Sequence, residues 1–296
     1  MVYVQLNVVE NLSEIVEYDT PYLPIRTRQS KLSYFNNRSA SCHWHIDLEF
    51  ILILDGAMNY FVNGENYLLQ KGEGIFVNSN RLHYGYSYKD EDCSFLVMLL
   101  NPSLLVRNPY IESKYIKPFL QDSNSDAIVF HEGIPWQSEA LRFIHALYET
   151  CHHQEDGYEL VALSQFDLLF LHLYRNTVAQ HGFHTEHSKD ITAIKKMLAF
   201  IQIHYGENIS LQDISTVGAV CRSKCCRLFK VSLKKTPIDY LTHFRIQKSI
   251  ELMTNNSLNI TDVSIACGFN SSTYFAEVFK KIMGVSPTEY RQILSK

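Results

Sequence analysis

The last third of the chain contains the same pattern twice, and this repeat limits the folds available to it. Each copy closes on Phe-Lys, first in CRSKCCRLFK (221–230) and again in SSTYFAEVFK (271–280). Each closing segment follows a Gly-containing turn, Gly218-Ala219-Val220 in the first copy and Cys267-Gly268-Phe269 in the second. Helix, a turn of a few residues and a second helix is the sequence pattern of a helix-turn-helix unit. The repeat therefore predicts two such units.

Helix start signals support this prediction. Ser210 and Asn259 each precede an acidic residue by three positions, which is close to a capping box. Between the two units, Thr236-Pro237 places a capping hydroxyl before a proline at the first helical position. The segment that follows, IDYLTHFRIQKSIELM, has a helical apolar period, as does the stretch at about 190–205. An all-α C-terminal domain is expected.

Residues 190–296 resemble the DNA-binding domain of the arabinose-operon (AraC/XylS) family of transcription regulators. The match is closest in the second unit, in ITDVSIACGF and in STYFAEVFKKIMGVSPTEYR. The resemblance implies that the second helix of each unit lies in a major groove of double-stranded DNA. Two units joined by a helix would then read successive grooves, about 34 Å apart. RNA polymerase is a further partner that the resemblance implies.

The resemblance also implies which side chains face the bases. They are Arg222, Ser223, Cys226 and Arg227 in the first unit, and Ser272, Thr273, Ala276 and Glu277 in the second. Arg227 is the strongest candidate, because a guanidinium can donate two hydrogen bonds to one guanine. Lys230, Lys280 and Lys281 are expected to contact phosphates, which sets register rather than sequence.

Some of these positions have alternative roles. Ser272 and Thr273 could cap a helix instead, and Glu277 stands where the family more often has a basic or neutral residue. Glu277 would either accept from a cytosine amino group or only pair with a neighbouring lysine. The thiols of Cys221, Cys225 and Cys226 lie among basic residues, which favours redox sensitivity, whereas buried thiols acting as small hydrophobes are the alternative. Their spacing is not that of a zinc site.

Charge is distributed unevenly along the chain. Residues 189–296 contain 15 Lys and Arg against 8 Asp and Glu, a balance of +7, and the remainder contains 12 against 23, a balance of −11. The basic part suits a polyanion such as DNA, although a solvated basic surface would have the same composition. No signal peptide or apolar run of the ~20 residues that a membrane helix needs is evident, and the seven cysteines lack framework spacing. A cytoplasmic protein without membrane association is expected.

Short apolar runs separated by turns between about 42 and 100 predict a β domain. The runs are LEFILIL, AMNYFV, NYLLQ, GIFV, HYGYSY and SFLVMLL. Asn63-Gly64, between the second and third runs, is a strong hairpin signal. Several short strands at regular spacing are typical of a barrel or a sandwich.

The segment CHWHIDLEFILILDG (42–56) resembles the first motif of cupin barrels. His43, His45 and Glu49 share odd numbering, so an unbroken strand would direct all three side chains to one face. His83 stands where the second cupin motif has its histidine. Three imidazoles and a carboxylate would suit a divalent transition metal, Mn, Fe, Ni or Zn. In cupin enzymes such a set holds a catalytic metal.

In the regulator family, by contrast, the barrel is more often a pocket for a small ligand. The Pro-x-Gly that usually precedes the second-motif histidine is missing here, which weakens the enzyme interpretation. An unknown small-molecule effector is therefore expected at these four residues, next to Trp44, Tyr60, Tyr84 and Tyr86. The same aromatic side chains would also fill a barrel core. No cofactor is certain, and the metal remains an alternative.

Two amphipathic segments follow, from Trp136 to about His152 and from Tyr158 to about Val178. The resemblance implies that these helices pack on the barrel and pair two subunits into a homodimer, and an intramolecular hairpin is the alternative. The polar stretch HGFHTEHSKD (181–190) is predicted to be a linker. The expected domains are a cupin-like sensing domain at 1–135, a helical dimerisation segment at 136–180, the linker at 181–189 and the DNA-binding domain at 190–296.

The expected fold class is an α+β multidomain protein, with an N-terminal cupin-like β-barrel, helical dimerisation elements and a C-terminal all-α domain with two helix-turn-helix units. The predicted function is that of a sequence-specific DNA-binding transcription regulator, not an enzyme, whose cupin-like domain senses a small effector. Two alternatives stay open: a metal-dependent cupin enzyme with an appended helical domain, and a constitutive DNA-binding protein without an effector.

Overall fold

The computed structural model describes residues 6–8, 12–177, 189–233, 235–253 and 258–294. The chain divides into two compact units, Met1–Lys189 and Asp190–Lys296. The predicted linker lies outside the described residues except for Lys189, which begins a helix. Of the helices in the described part, none is long and apolar enough to cross a membrane.

The first unit is built on antiparallel β strands. Within the described residues they are β1 (Ile25–Lys31), β2 (Leu48–Val62), β3 (Glu65–Gln70), β4 (Gly74–Val77), β5 (His83–Ser87), β6 (Cys93–Leu100) and β7 (Ala127–Phe130). The main path of the sheet is β1-β6-β2-β4-β7, and β3 and β5 also pair with β2. The predicted hairpin at Asn63-Gly64 is confirmed, since Val62 pairs with Glu65.

Strand β2 belongs to both halves of this sheet. Its first part pairs with β4 and β6, and its second part pairs with β3 and β5. The sequence predicted two strands here, LEFILIL and AMNYFV, but Asp55 and Gly56 continue the strand instead of ending it. The register shifts between Ile53 and Asp55, which is the signature of a β-bulge.

The bulge changes which residues face inward. Before it, Ile51 and Ile53 pack in the inner cluster, and after it Met58 and Tyr60 do so. Side chains alternate strictly along a regular strand, so odd and even positions can share a face only across an irregularity. The inner face of β2 therefore switches from odd to even numbering at the bulge.

Helices cover the outer face of the sheet. They are α1 (Pro109–Ile111), α2 (Lys117–Gln121), α3 (Pro135–His153) and α4 (Tyr158–Asn176), with a π turn at Glu112–Ile116 between the first two. Shorter 3-10 turns occur at Leu32–Tyr34, Asn36–Arg38, Pro102–Leu105 and Ser123–Ser125. Phe50 and Leu52 of β2 share one buried cluster with Ile144 of α3 and Phe166 of α4. The two predicted helices are thus present within the same compact unit as the sheet.

All regular secondary structure in the described residues of the second unit is helical. Its helices are α5 (Lys189–His204), α6 (Leu211–Val217), α7 (Arg222–Leu233), α8 (Pro237–Met253), α9 (Ile260–Ala266), α10 (Ser272–Met283) and α11 (Pro287–Leu294). The pairs α6–α7 and α9–α10 are the two predicted helix-turn-helix units, joined by α8. The turn between α9 and α10, residues 267–271, is one residue longer than the turn at 218–221.

The helix caps agree with the sequence in part. Ser210 and Asp213 form a complete capping box, in which each side chain accepts a hydrogen bond from the backbone of the other. In the second helix-turn-helix unit, the Asn259 side chain accepts a hydrogen bond from the Asp262 amide. Both helices that precede the turns therefore begin where the sequence placed them.

Candidate functional site

The predicted cupin-like residues lie together inside the first unit. His43, His45, Glu49 and His83 are all buried, each with at most 4% of its surface exposed. One potential ligand atom from each residue lies within 4.8 Å of the others. We call these four residues the His-Glu cluster.

The convergence does not arise from an unbroken strand, as the sequence suggested. A bend at Ile46 and Asp47 separates the two histidines from β2, which begins at Leu48. His43 instead forms an isolated antiparallel bridge with His83, with backbone N–O distances of 3.1 and 2.8 Å. This bridge brings the second-motif histidine to the first motif.

Each histidine ring is oriented by a backbone carbonyl two residues away. The acceptors are Ser41 O for His43 (2.8 Å), Asp47 O for His45 (3.1 Å) and Arg81 O for His83 (2.8 Å). A carbonyl can only accept, so each Nδ1 carries a proton and Nε2 is the ring nitrogen left to face the cluster. Such outer contacts are characteristic of histidines that ligate a metal.

The Nε2 atoms face the Glu49 carboxylate. Glu49 Oε2 is 3.4 Å from Nε2 of His45 and 3.5 Å from Nε2 of His83. Among the described residues, His83 Nε2 is buried without a hydrogen-bond partner. A carboxylate and the lone pair of a neutral imidazole cannot face one another in a buried site without a proton or a cation between them. The donor set of nitrogen and carboxylate oxygen fits a divalent transition metal.

Tyr60 completes the surroundings of Glu49. Its hydroxyl donates to Glu49 Oε1 from the even-numbered inner face of β2. Burial alone would raise the pKa of Glu49, but the nearby imidazoles of His83 and His45 outweigh it and hold that pKa well below its usual range. Burial and the Glu49 charge raise the pKa of Tyr60. The pair is therefore a carboxylate and a neutral phenol.

Glu14 is a functional candidate that the sequence did not reveal. Its Oε2 lies 3.3 Å from His43 Nε2, and its Oε1 accepts from Arg26 at 3.1 Å. Burial tends to raise the pKa of Glu14, but the contact with His43 and the nearby charges of His45 and Arg26 lower it overall. Glu14 lies outside the cupin-like motifs and the apolar runs, so no spacing or period marks it.

A cavity of about 270 Å³ adjoins the His-Glu cluster. Its apolar wall comes from the 3-10 turns near β1 and from β2 and β6, and includes Leu32, Phe35, Ile51, Met58, Phe95, Val97 and Leu99. Its polar lining includes Glu14, Arg26, His43, Glu49 and Tyr60. The cavity is thus mostly apolar, with charged groups beside the cluster and at Arg28 of β1.

The aromatic lining predicted from the sequence is only partly correct. Tyr60 lines the cavity, but the described lining residues do not include Trp44, Tyr84 or Tyr86. The reason lies in strand alternation, because Gly85 of β5 faces the cavity and its two neighbours point away.

In the second unit, the predicted DNA-reading residues lie on the open faces of α7 and α10. Arg222, Ser223, Arg227, Ser272, Thr273 and Glu277 are exposed, as are Lys230, Lys280 and Lys281, while Cys226 and Ala276 are half-buried. At most positions the burial of the two helices matches at an offset of 50 residues, and Phe279 repeats Phe229 in the core. Each helix therefore presents the same set of positions outward.

Local contacts bear on two of the alternatives for these positions. Ser271 caps α10 by accepting from the Tyr274 amide, so the capping role does not belong to Ser272 or Thr273. The ion pairs between described residues do not include Glu277, which gives no support to pairing with a neighbouring lysine. In the first helix-turn-helix unit, the Arg222 guanidinium donates to the Gln212 side chain at 2.7 Å.

The three cysteines of the first helix-turn-helix unit are in different environments. Cys225 is fully buried, and burial raises the pKa of its thiol to about 11. Cys221 is exposed and Cys226 is half-buried. Cys225 therefore fits the small-hydrophobe interpretation.

Comparison with known proteins gives two domain matches. Residues 33–162 match the AraC-like ligand binding domain, and residues 217–293 match a helix-turn-helix domain. The HTH-type transcriptional regulator YdeC of Bacillus subtilis (strain 168) is 30% identical over 290 residues, 97% of this chain and 98% of its own length. The HTH-type transcriptional activator RhaS of Enterobacter sp. (strain 638) is 23% identical and covers 84% of this chain and 87% of its own. Fatty acid-bound ToxT from Vibrio cholerae strain SCE256 is 16% identical, covering 90% of this chain and 94% of that structure with a TM-score of 0.41.

A ligand-binding β domain and a pair of helix-turn-helix units define the class of DNA-binding transcription regulators. The chain matches a regulator that is 30% identical over nearly its full length, and this match identifies the family within that class. The chain belongs to the AraC family of HTH-type transcriptional regulators.

Proposed function

We propose that this regulator recognises its operator through α7 and α10, with Arg227 as the principal base-reading residue. The observation that carries the proposal is the repeated outward face of the two helices, in which exposed polar residues alternate with core residues at matching positions. The N-terminal part of a recognition helix approaches base edges in the major groove, and small residues such as Ser223 and Ser272 permit close approach. Lys230, Lys280 and Lys281 are the proposed phosphate contacts.

The test is selection of genomic DNA fragments by the purified protein across a salt series, followed by sequencing. A shared motif with two blocks about one helical turn apart would support both recognition helices. Binding that is sensitive to salt but shares no motif would show that the basic unit contacts only the DNA backbone.

The ligand that regulates DNA binding is proposed to be a small, largely apolar molecule with one polar head group. The cavity of about 270 Å³ lies just below the usual size range of ligand pockets, and most of its wall is apolar, with charged groups beside the cluster and at Arg28. The ligand would control DNA binding only if it bound the two regulatory states with different affinity.

Ligand-dependent melting tests this proposal. Compounds of this class should raise the melting temperature of the wild-type chain, because they bind only the folded state. A Val97→Phe variant, in which the ring fills part of the cavity, should lose that response and keep DNA binding. Equal responses in both chains would place the ligand elsewhere.

A divalent transition metal is proposed for the His-Glu cluster. The rings are oriented through Nδ1, and the buried Nε2 atom of His83 is without a hydrogen-bond partner among the described residues. His43, His45 and His83 would bind through Nε2 and Glu49 through its carboxylate, and the ion would supply a positive charge that the facing acceptors need. We assign the cluster a regulatory rather than a catalytic role. Metal analysis combined with a search for turnover would separate this from the cupin-enzyme alternative.

A homodimer formed through α4 is the proposed assembly. Leu160, Val161, Leu168 and Leu171 lie on one stripe of this helix and are 38–73% exposed, while its opposite face is in the core. An exposed apolar stripe on a helix suits a second copy of the same stripe across a two-fold axis. Because the target is chromosomal DNA, the proposal places the dimer in the cytoplasm, with RNA polymerase as the partner for activation.

A further inference from the structure

The segment that carries Glu14 is attached to the first cupin-like motif through its backbone. The Glu14 amide donates to the Trp44 carbonyl at 2.8 Å, and the Trp44 amide donates to the Leu12 carbonyl at 2.9 Å. This pairing places the Glu14 side chain inside the domain, where 8% of the residue is exposed. Glu14 is therefore held beside the His-Glu cluster by residues that flank the cluster's own histidines.

The Glu14 carboxylate faces the same nitrogen that His43 would offer to a metal. The His43 ring uses Nδ1 to contact Ser41 O, which leaves Nε2 for any further partner. That Nε2 lies 3.3 Å from Glu14 Oε2. A cation bound at Nε2 would meet the Glu14 carboxylate at short range, and a carboxylate so placed is itself a metal ligand.

We propose that Glu14 is a fifth ligand of a divalent metal ion held by His43, His45, Glu49 and His83. The inference rests on the metal site proposed above. Two carboxylates balance the charge of a divalent ion. Three nitrogens and two carboxylate oxygens make five donors. This number suits the larger coordination shells of Mn²⁺ or Fe²⁺ better than Zn²⁺, which favours four ligands.

A ligand from this segment would connect metal binding to the effector cavity. Glu14 lines the cavity together with Leu6, so the described part of the N-terminal segment forms one of its walls. An ion bound to both Glu14 and the cluster fastens that wall to the β domain. Metal occupancy would then determine how firmly Glu14 and its neighbours are held at the cavity.

The first test is metal affinity of the full-length chain. Metal-free protein is titrated separately with Mn²⁺, Co²⁺ and Zn²⁺, and bound metal per chain is measured for the wild type, Glu14→Gln and the control Glu17→Gln. Glu17 is an exposed carboxylate of the same segment. Glu14→Gln should weaken Mn²⁺ binding at least ~10-fold, the loss typical of a disturbed metal site, and Glu17→Gln should leave it unchanged.

The second test is hydrogen exchange of the Glu14 and Trp44 amides, which form the backbone pairing. Mn²⁺ should slow their exchange in the wild type and have no such effect in Glu14→Gln. Equal affinity and equal protection in both chains would overturn the role of Glu14 and leave the metal site standing. A wild-type chain that binds no ion would instead refute the metal site itself.

A measurement on the wild type alone covers the case in which Glu14→Gln fails to fold. Visible absorption of the Co²⁺-loaded chain distinguishes four-coordinate sites, which absorb intensely, from sites with more ligands, which absorb weakly. Weak bands are expected with Glu14 bound. An intense tetrahedral spectrum would overturn the proposal.

Discussion

Ala219 and Gly268 occupy the same position in the two helix-turn-helix turns, and both have a left-handed backbone, with φ of 52° and 78°. Gly218, the glycine of the first turn, has an ordinary helical φ of −73°. Its small size serves packing instead, because a Cβ there would lie 2.8 Å from the Met197 side chain. The first turn therefore places an L-residue where the second places glycine.

Exchanging the residues at these two positions should have opposite effects on stability. Ala219→Gly should stabilise the chain by about 0.5–1 kcal/mol, because it removes the left-handed penalty of an exposed alanine at the cost of backbone entropy. Gly268→Ala should destabilise it by more than about 1 kcal/mol, since the new Cβ would lie 2.5 Å from the Tyr205 carbonyl oxygen. Thermal and denaturant unfolding measure both. Stabilisation by Gly268→Ala would contradict the turn geometry.

Arg227→Ala should weaken binding to the selected operator by ~1–3 kcal/mol and spare binding to unrelated DNA. The reason is that a base-edge contact is made only in the correct sequence. Lys230→Ala is the matched comparison one helical turn further on, and it should weaken both kinds of binding and reduce the salt dependence. Competition binding assays measure the two affinities. A uniform loss for Arg227→Ala would make this arginine a phosphate contact.

The capping box of α6 should make the stability of the fold depend on pH in the acid range. Hydrogen bonds from the Ser210 hydroxyl and backbone lower the pKa of Asp213. A carboxyl group whose pKa is lower in the folded than in the unfolded chain stabilises the fold at any pH above the unfolded-state pKa. This stabilisation is lost as the pH falls through the folded-state pKa. The melting temperature of Asp213→Asn should therefore lie below that of the wild type at pH 7, and the two should converge in acid below roughly pH 4.

Asp262→Asn is the control for the capping box. Asn259 accepts from the Asp262 amide, and the described contacts do not include a return bond to the Asp262 carboxylate. This variant should have the smaller effect at pH 7. A constant gap between Asp213→Asn and the wild type at every pH would argue against the box.

His45→Ala should remove metal or alter the response to effector while operator binding in the absence of effector stays intact. His45 is buried in the first unit, whereas the recognition helices belong to the second. Metal analysis and operator binding with and without ligand are the measurements. If neither metal content nor effector response changes, the His-Glu cluster is structural.

Leu168→Glu should shift the chain from dimer to monomer, because it places a charge in the middle of the exposed stripe on α4. Leu68→Glu is the control, since Leu68 is also exposed, at 40%, but lies on β3. Sedimentation velocity over a concentration series measures both. A dimer that survives Leu168→Glu would place the interface elsewhere.

Much of the helical unit could be predicted from its sequence because its signals are local. Caps such as Ser210 and the repeated Phe-Lys endings mark helix boundaries directly. Resemblance to a family then supplied the candidate reading residues, of which all but the half-buried Cys226 and Ala276 are exposed.

The β domain was harder because its site depends on irregular backbone. Strict alternation would place Glu49 and Tyr60 on opposite faces of β2, yet the bulge puts them in hydrogen-bond contact. Glu14 reaches His43 through isolated bridges, which depend on tertiary packing and leave no periodic trace. The choice of Gly85 rather than Tyr84 or Tyr86 for the cavity wall likewise follows from the register of β5.

The longer second turn gives the DNA-binding unit a direction. Its two recognition helices differ in the length of the turn before them and in chemistry, with Arg227 at one position and Glu277 at its equivalent. Two identical units related by a two-fold axis would make the same contacts in either orientation of the site. The two ends of this DNA-binding unit differ, so inverting the operator would turn the bound protein around and present its opposite end to a neighbouring promoter.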